Sequence, residues 1–165
     1  MPDAPDDALT AWLALPEETP LAEAAQALMP LPLGVRARAA LVALREVLAV
    51  SDPDPTWGRP RAVAEALAAW LADPGEATLR RVTSATGAAE SAWNAVAGDR
   101  GQPEPTWQAA TYAGWVVTEP DRAWGVVHTL TGAGKGVGEA TLLAAVRAAL
   151  AAELTLVTPI GGLDG

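Results

Sequence analysis

Apolar residues recur at helical spacing through most of this chain. The clearest stripe occupies positions i, i+3, i+4, i+7 and i+8 of one helix face, at Val63, Ala66, Leu67, Trp70 and Leu71. Similar stripes run along Val35–Val50 and Glu139–Leu154. This pattern predicts an all-α fold of about eight short-to-medium helices, arranged as antiparallel helical hairpins in an irregular helical repeat or a bundle.

Proline and glycine separate these stripes and set the expected helix boundaries. The expected helices run from Asp6 or Asp7 to Pro16, and then over Pro20–Leu28, Val35–Val50, Pro60–Ala72, Pro74–Ala97, Trp107–Thr118, a segment from Thr118–Asp121 to Gly132, and Glu139–Leu154. Trp107–Thr118 mixes strand-favouring and helix-favouring residues, and a helix is predicted because a lone strand would have no partner here. Gly132–Gly138 is predicted to be a glycine-rich loop, and Thr155–Gly165 to be extended or disordered.

Two short patterns occur more than once. Pro53-Asp-Pro-Thr-Trp57 is followed fifty residues later by Pro103-Glu-Pro-Thr-Trp107, and Ala69-Trp-Leu-Ala-Asp-Pro74 is matched by Ala11-Trp-Leu-Ala-Leu-Pro16. Recurrence of a proline-bounded, tryptophan-bearing helix indicates an array of helical hairpins.

The length of 165 residues predicts a single domain, with residues 1–5 and 155–165 flexible. Alanine dominates the apolar content, and the chain has seven Trp, one Tyr and no Phe, so the indoles are the main large core volumes. The tryptophans predicted to lie in the core, because they are in phase with apolar stripes, are Trp12, Trp70, Trp93 and Trp124. Trp57 and Trp107 lie at loop–helix junctions, so these two tryptophans are the candidates for contact with a partner.

The net charge of −9 disfavours binding to nucleic acid or to an anionic membrane surface. This charge is explained either as a feature that keeps the protein soluble or as one that attracts a basic partner. Since the chain has no cysteine, it has no disulfide, no thiolate nucleophile and no cysteine-based metal site. No signal sequence or membrane-spanning run is recognised, and a cytoplasmic location is expected.

The candidate catalytic groups are few. Lys135 in Gly132–Gly138 is followed by glycine rather than Ser or Thr, so the segment does not match a phosphate-binding loop. His128 is the single histidine and has no nearby Ser-His-Asp spacing, which favours a helix-side histidine. Carboxylate pairs such as Asp52/Asp54 and Glu119/Asp121 are interpreted as solvated caps and turns. No catalytic, cofactor-binding or metal-ligating residue is predicted, and the chain is expected not to be an enzyme.

Arginine and tryptophan come together after the first proline pair. Arg59 and Arg61 at the start of one helix and Arg80 and Arg81 in the next are expected to converge, and with Trp57 they form a pattern typical of interface hot spots. Alternatively, Arg59 and Arg61 pair with Asp52, Asp54 or Glu65 and hold the loop against the helix start. The residues hypothesised to bind a partner are Trp57, Arg59, Arg61 and Trp107.

The run Asp54-Pro-Thr-Trp-Gly-Arg-Pro-Arg-Ala-Val-Ala-Glu-Ala-Leu-Ala-Ala-Trp-Leu-Ala72 resembles a segment of immunity-type helical domains from bacterial polymorphic toxin systems. Ser84–Trp93 is similar to the alanine-rich helix that follows that segment in the family. The resemblance implies a small all-helical protein that neutralises a toxin by direct contact, and the net charge of −9 suits a basic toxin as the partner. The alternatives are a helical scaffold or adaptor subunit of a larger assembly and, less favoured, an enzyme.

Overall fold

The chain folds entirely into helices over the part that the structure describes. That structure is a computed structural model, and it describes the backbone of residues 5–96, 104–122 and 124–164 and the side chains of these ranges between residues 7 and 154. The eight helices described are α1 Pro5–Leu13, α2 Leu21–Leu28, α3 Leu33–Val50, α4 Arg59–Ala72, α5 Glu76–Val96, α6 Glu104–Thr118, α7 Gly125–Val137 and α8 Glu139–Asp164. The predicted all-α fold is confirmed. Predictions for residues 1–4, for Ala97 and for the loop up to Pro103 lie outside the described residues.

Three helices, two of them consecutive in the chain, form the centre of the fold. α3, α6 and α7 pack against one another, the α4–α5 pair covers one side, and α1, α2 and α8 cover another. The buried side chains belong to one core cluster, dominated by alanine, leucine and valine. Because α3 packs directly on α6, α7 and α8, the helices form a bundle instead of a stack in which each unit contacts only its neighbours.

The ambiguous segment before Thr118 is helical, as predicted, and it crosses α5 closely. A Cβ atom added to Gly114 in α6 would overlap the Thr86 side chain of α5. The Thr86 hydroxyl donates to the Val82 carbonyl at 2.7 Å, so a buried threonine satisfies its polar group within its own helix while α6 approaches. The absence of a side chain at position 114 thus permits this close contact between the two helices.

The prediction of a glycine-rich loop over Gly132–Gly138 is wrong, because α7 continues to Val137. Its glycines face neighbouring helices: an added Cβ at Gly132 would lie 2.9 Å from Gln108, at Gly134 2.5 Å from Leu21, and at Gly136 2.9 Å from Val47. Close packing on three sides outweighs the low helix propensity of glycine. Only Gly138, with φ of 105°, serves as the helix stop.

The chain between α6 and α7 also differs from the prediction. The segment Thr118–Asp121 does not begin a helix; the Arg122 and Gly125 N–H groups instead donate to the Glu119 and Arg122 carbonyls, giving two short turns before α7 begins at Gly125. Trp124 therefore precedes the helix and is 38% exposed, which corrects its predicted place in the core. At the other end of the chain, α8 continues to Asp164, through most of the segment predicted to be extended; Gly165 lies outside the described residues.

Arg147 of α8 anchors the turn between α1 and α2. Its two terminal nitrogens donate to the carbonyls of Leu15 and Pro16, both at 2.8 Å, and its guanidinium lies 5.9 Å from the Trp12 ring centroid. The Trp12 indole N–H donates to the Ala24 carbonyl at 2.8 Å. These bonds satisfy carbonyl groups that follow the end of α1 and fasten the N-terminal helices to the bundle.

Within the described residues, no helix is both long enough and apolar enough to cross a membrane.

Candidate partner-binding site

The loop between α3 and α4, residues 51–58, is the Trp57 loop. The Gly58 N–H donates to the Asp54 carbonyl at 2.6 Å, which closes one helical turn over Asp54–Gly58. Gly58 then takes the left-handed conformation, with φ of 67° and ψ of 27°, and α4 starts at Arg59. A residue with a side chain is strained in this region, so glycine allows the turn to end and the next helix to begin immediately.

Two aspartates fix this loop to the start of α4. Asp54 accepts from the backbone N–H and the Nη1 of Arg59, both at 3.3 Å, and Asp52 accepts from Arg61 Nη2 at 2.8 Å. The side chains of Asp52 and Asp54 are only 11% and 10% exposed. The prediction that these carboxylates are solvated is therefore wrong, whereas the predicted pairing with the two arginines is confirmed.

Trp57 projects from this fixed loop into solvent. It is 74% exposed, and the other large hydrophobic side chains exposed in the described residues are Val50 at 63% and Trp124 at 38%. The guanidinium of Arg59 lies 5.6 Å from the Trp57 ring centroid, within cation–π distance. A buried indole removes roughly 150–250 Å² from water, so its exposure forgoes on the order of 4 kcal/mol of stabilisation.

Two grooves are lined by residues at the start of α4. The larger, of about 600 Å³, is lined by Pro53, Asp54 and Arg59 of the loop region, by one face of α5 between Ala88 and Val96, and by Trp107. The smaller, of about 270 Å³, is lined by Arg61 together with residues of α3 and α4. Arg59 thus lines the larger groove and Arg61 the smaller one.

Trp107 differs from the three other hypothesised contact residues in being buried. Its side chain is 2% exposed at the start of α6 and belongs to the core. The hypothesis that it contacts a partner is corrected, because burial leaves its ring inaccessible apart from a small area lining the larger groove. Trp57, Arg59 and Arg61 remain together at the surface.

The titratable groups considered for catalysis are dispersed. His128 lies on α7 with its ring stacked on Tyr112 at a centroid distance of 4.8 Å, and its backbone carbonyl accepts from Gln108 Nε2 at 3.1 Å. Lys135 is exposed near the end of α7. Among the described residues no three His, Asp or Glu side chains come together in a way that would hold a metal ion. The arrangement at the Trp57 loop offers contact groups: an exposed indole and two guanidinium edges.

A second surface was missed by sequence reasoning. Tyr112 and Trp115 of α6 meet Trp124 and His128 across the turn that joins α6 to α7, with ring centroids 4.8–6.5 Å apart. We name these four residues the aromatic cluster. The i, i+3 spacing of Tyr112 and Trp115 and the i, i+4 spacing of Trp124 and His128 were available signals, but only the packing of α6 on α7 brings the two pairs together.

In comparisons with protein families, with curated proteins and with solved structures, no match to this chain is found. The resemblance of Asp54–Ala72 to immunity-type domains therefore stays a prediction.

Proposed function

We propose that this protein is a non-enzymatic protein-binding module, an immunity protein that neutralises a basic toxin in the cytoplasm by direct contact. One observation carries the proposal: Trp57 is 74% exposed on a loop that lines a groove and is held by two aspartates whose side chains are only 10% and 11% exposed. An indole flanked by arginines is the composition enriched where alanine substitution is most damaging to protein–protein affinity.

Preorganisation of the Trp57 loop supports a role in binding. Pro53 and Pro55 restrict the backbone, the two aspartate–arginine pairs close the loop on α4, and Ser51 at its start accepts from the Thr106 hydroxyl at 2.8 Å. A loop that is ordered before it meets a partner loses less conformational entropy on association. The exposed indole therefore sits on a support suited to presenting it.

The net charge of the chain supports a basic protein as the partner. The net charge of −9 attracts a basic protein at long range and raises the rate of encounter. The resemblance of Asp54–Ala72 to immunity-type domains covers the second half of the Trp57 loop, from Asp54 on, and all of α4, so the segment that motivates the immunity hypothesis is the one that presents the candidate contact residues.

Co-expression with the products of neighbouring genes, followed by capture of the tagged protein, tests the proposal. Wild type and Arg81→Ala, an exposed position on α5, are expected to capture one basic product and relieve its toxicity. Trp57→Ala is expected to weaken capture by roughly 30-fold or more, the effect of losing a hot-spot residue.

Two outcomes would contradict the proposal. Equal capture by Trp57→Ala would make the loop architectural, and recovery of free monomer without relief of toxicity would remove the immunity function. Recovery in a large assembly without any effect on toxicity would favour the scaffold alternative.

A further inference from the structure

The aromatic cluster places a large share of the rare aromatic side chains at the surface. The chain has seven Trp, one Tyr and no Phe, and Tyr112, Trp115 and Trp124 gather with the only histidine at the α6–α7 turn. Trp124 is 38% exposed, and the other three residues are half-buried. None of the four residues is among those of the core cluster, so the aromatic cluster is a feature of the surface.

A cation already occupies this surface. The guanidinium carbon of Arg122 lies 5.6 Å from the Trp115 ring centroid and 6.0 Å from the Trp124 ring centroid, within the range of cation–π attraction. Glu119 and Asp121 are exposed in the same turn, yet no ion pair of Arg122 is found in the described part of the chain. The exposed side chain of Arg122 thus lies over two indoles, and both neighbouring carboxylates are left to solvent.

We propose that the aromatic cluster is a recognition site for an arginine side chain of a basic protein partner, and that Arg122 is the internal occupant which the incoming guanidinium displaces. The ligand class follows from what the site holds, because a planar guanidinium stacks on aromatic faces more readily than an ammonium group does. Glu119 and Asp121 provide the complementary charge, and the net charge of −9 supports the same sign of partner.

The inference takes from the proposed function only that the partner is a protein. It uses none of the residues of the Trp57 loop, and a short peptide can test it without knowledge of the toxin. A failure of one proposal can therefore be distinguished from a failure of the other.

The test is a titration of the full chain with the peptide acetyl-Gly-Arg-Gly-Arg-Gly-amide, followed through the indole N–H resonances of the seven tryptophans at low salt. The resonances of Trp115 and Trp124 are expected to shift together. Arg122→Ala is expected to tighten peptide binding by about threefold or more, because the competing occupant is removed and the open site is fully populated.

Matched controls separate recognition from general charge attraction. Arg81→Ala makes the same change of charge at an exposed position of α5 with no ring beneath it in the described residues, and should leave the affinity within about twofold of wild type. A peptide with citrulline in place of arginine keeps the shape without the charge and should produce no shift. Trp124→Leu keeps apolar bulk without the indole face and should weaken binding about tenfold.

Three results would overturn the inference. These are weaker binding by Arg122→Ala, equal effects of Arg122→Ala and Arg81→Ala, or the absence of indole shifts at millimolar peptide in both wild type and Arg122→Ala. Trp57→Ala provides the link to the proposed function. This variant should leave the peptide titration unchanged while it weakens capture of the toxin by roughly 30-fold or more, and each readout can fail without the other.

Discussion

Two segments of this chain share the pattern proline, acidic residue, proline, threonine and tryptophan, yet their tryptophans have opposite environments. Trp57 is 74% exposed, whereas Trp107 is 2% exposed. In both segments the described residues up to the tryptophan form a helical turn. Gly58 ends the first turn in the left-handed conformation, and Gln108 continues the second as α6.

The difference shows that the residues around a motif decide its role. Thr106, next to Trp107, is fully buried and its hydroxyl reaches back to the Ser51 carbonyl at the start of the Trp57 loop. Thr56, next to Trp57, is exposed. The second segment therefore supports the first: one copy lies in the core and holds in place the loop that presents the other.

The largest expected effect is on the buried tryptophan. Trp107→Ala should lower the free energy of unfolding by about 3–5 kcal/mol, because it removes a large core side chain and leaves a cavity. Trp57→Ala, the matched change in the exposed segment, should alter it by less than about 0.5 kcal/mol. Urea unfolding followed by circular dichroism measures both. A larger loss for Trp57→Ala would show that the exposed indole stabilises the fold.

A smaller effect on the free energy of unfolding is expected when the threonine that precedes each tryptophan is replaced. Thr106→Val should lower the free energy of unfolding by about 1–2 kcal/mol, because the Ser51 carbonyl loses its hydroxyl donor while the side-chain shape is kept. Thr56→Val should stay within about 0.5 kcal/mol of wild type. Thermal and urea unfolding provide the measurement. Equal values for the two variants would mean that the bond from Thr106 does not support the loop.

The smallest effect concerns the residue that ends the first turn. Gly58→Ala should lower the free energy of unfolding by about 1 kcal/mol, because alanine is strained at φ of 67°. The control is Gly87→Ala in the middle of α5, where an added Cβ has nothing within 4 Å; it should raise stability by about 0.5–1 kcal/mol. Effects of the same sign in the two variants would contradict the conformational explanation.

The local pattern of the sequence determined which segments are helical. A 3.6-residue apolar period and proline or glycine stops act within a few residues of chain, so α3, α4 and α5 begin and end within two residues of their predicted boundaries. The same local information indicated that Arg59 and Arg61 would find partners among the nearby acidic residues. Trp57 was also correctly left outside the core.

Tertiary packing decided what local pattern could not. Gly132, Gly134 and Gly136 suit a loop by propensity, but they lie in α7 because Gln108, Leu21 and Val47 approach too closely for side chains there. Likewise, the tryptophans of two nearly identical motifs differ in exposure, one exposed and the other buried. Trp124, which was predicted to lie in the core, lies in the aromatic cluster instead. For the three glycines the deciding neighbours are distant in sequence, and Trp124 meets Tyr112 and Trp115 only because α6 packs on α7, so both effects exist only once the helices have packed.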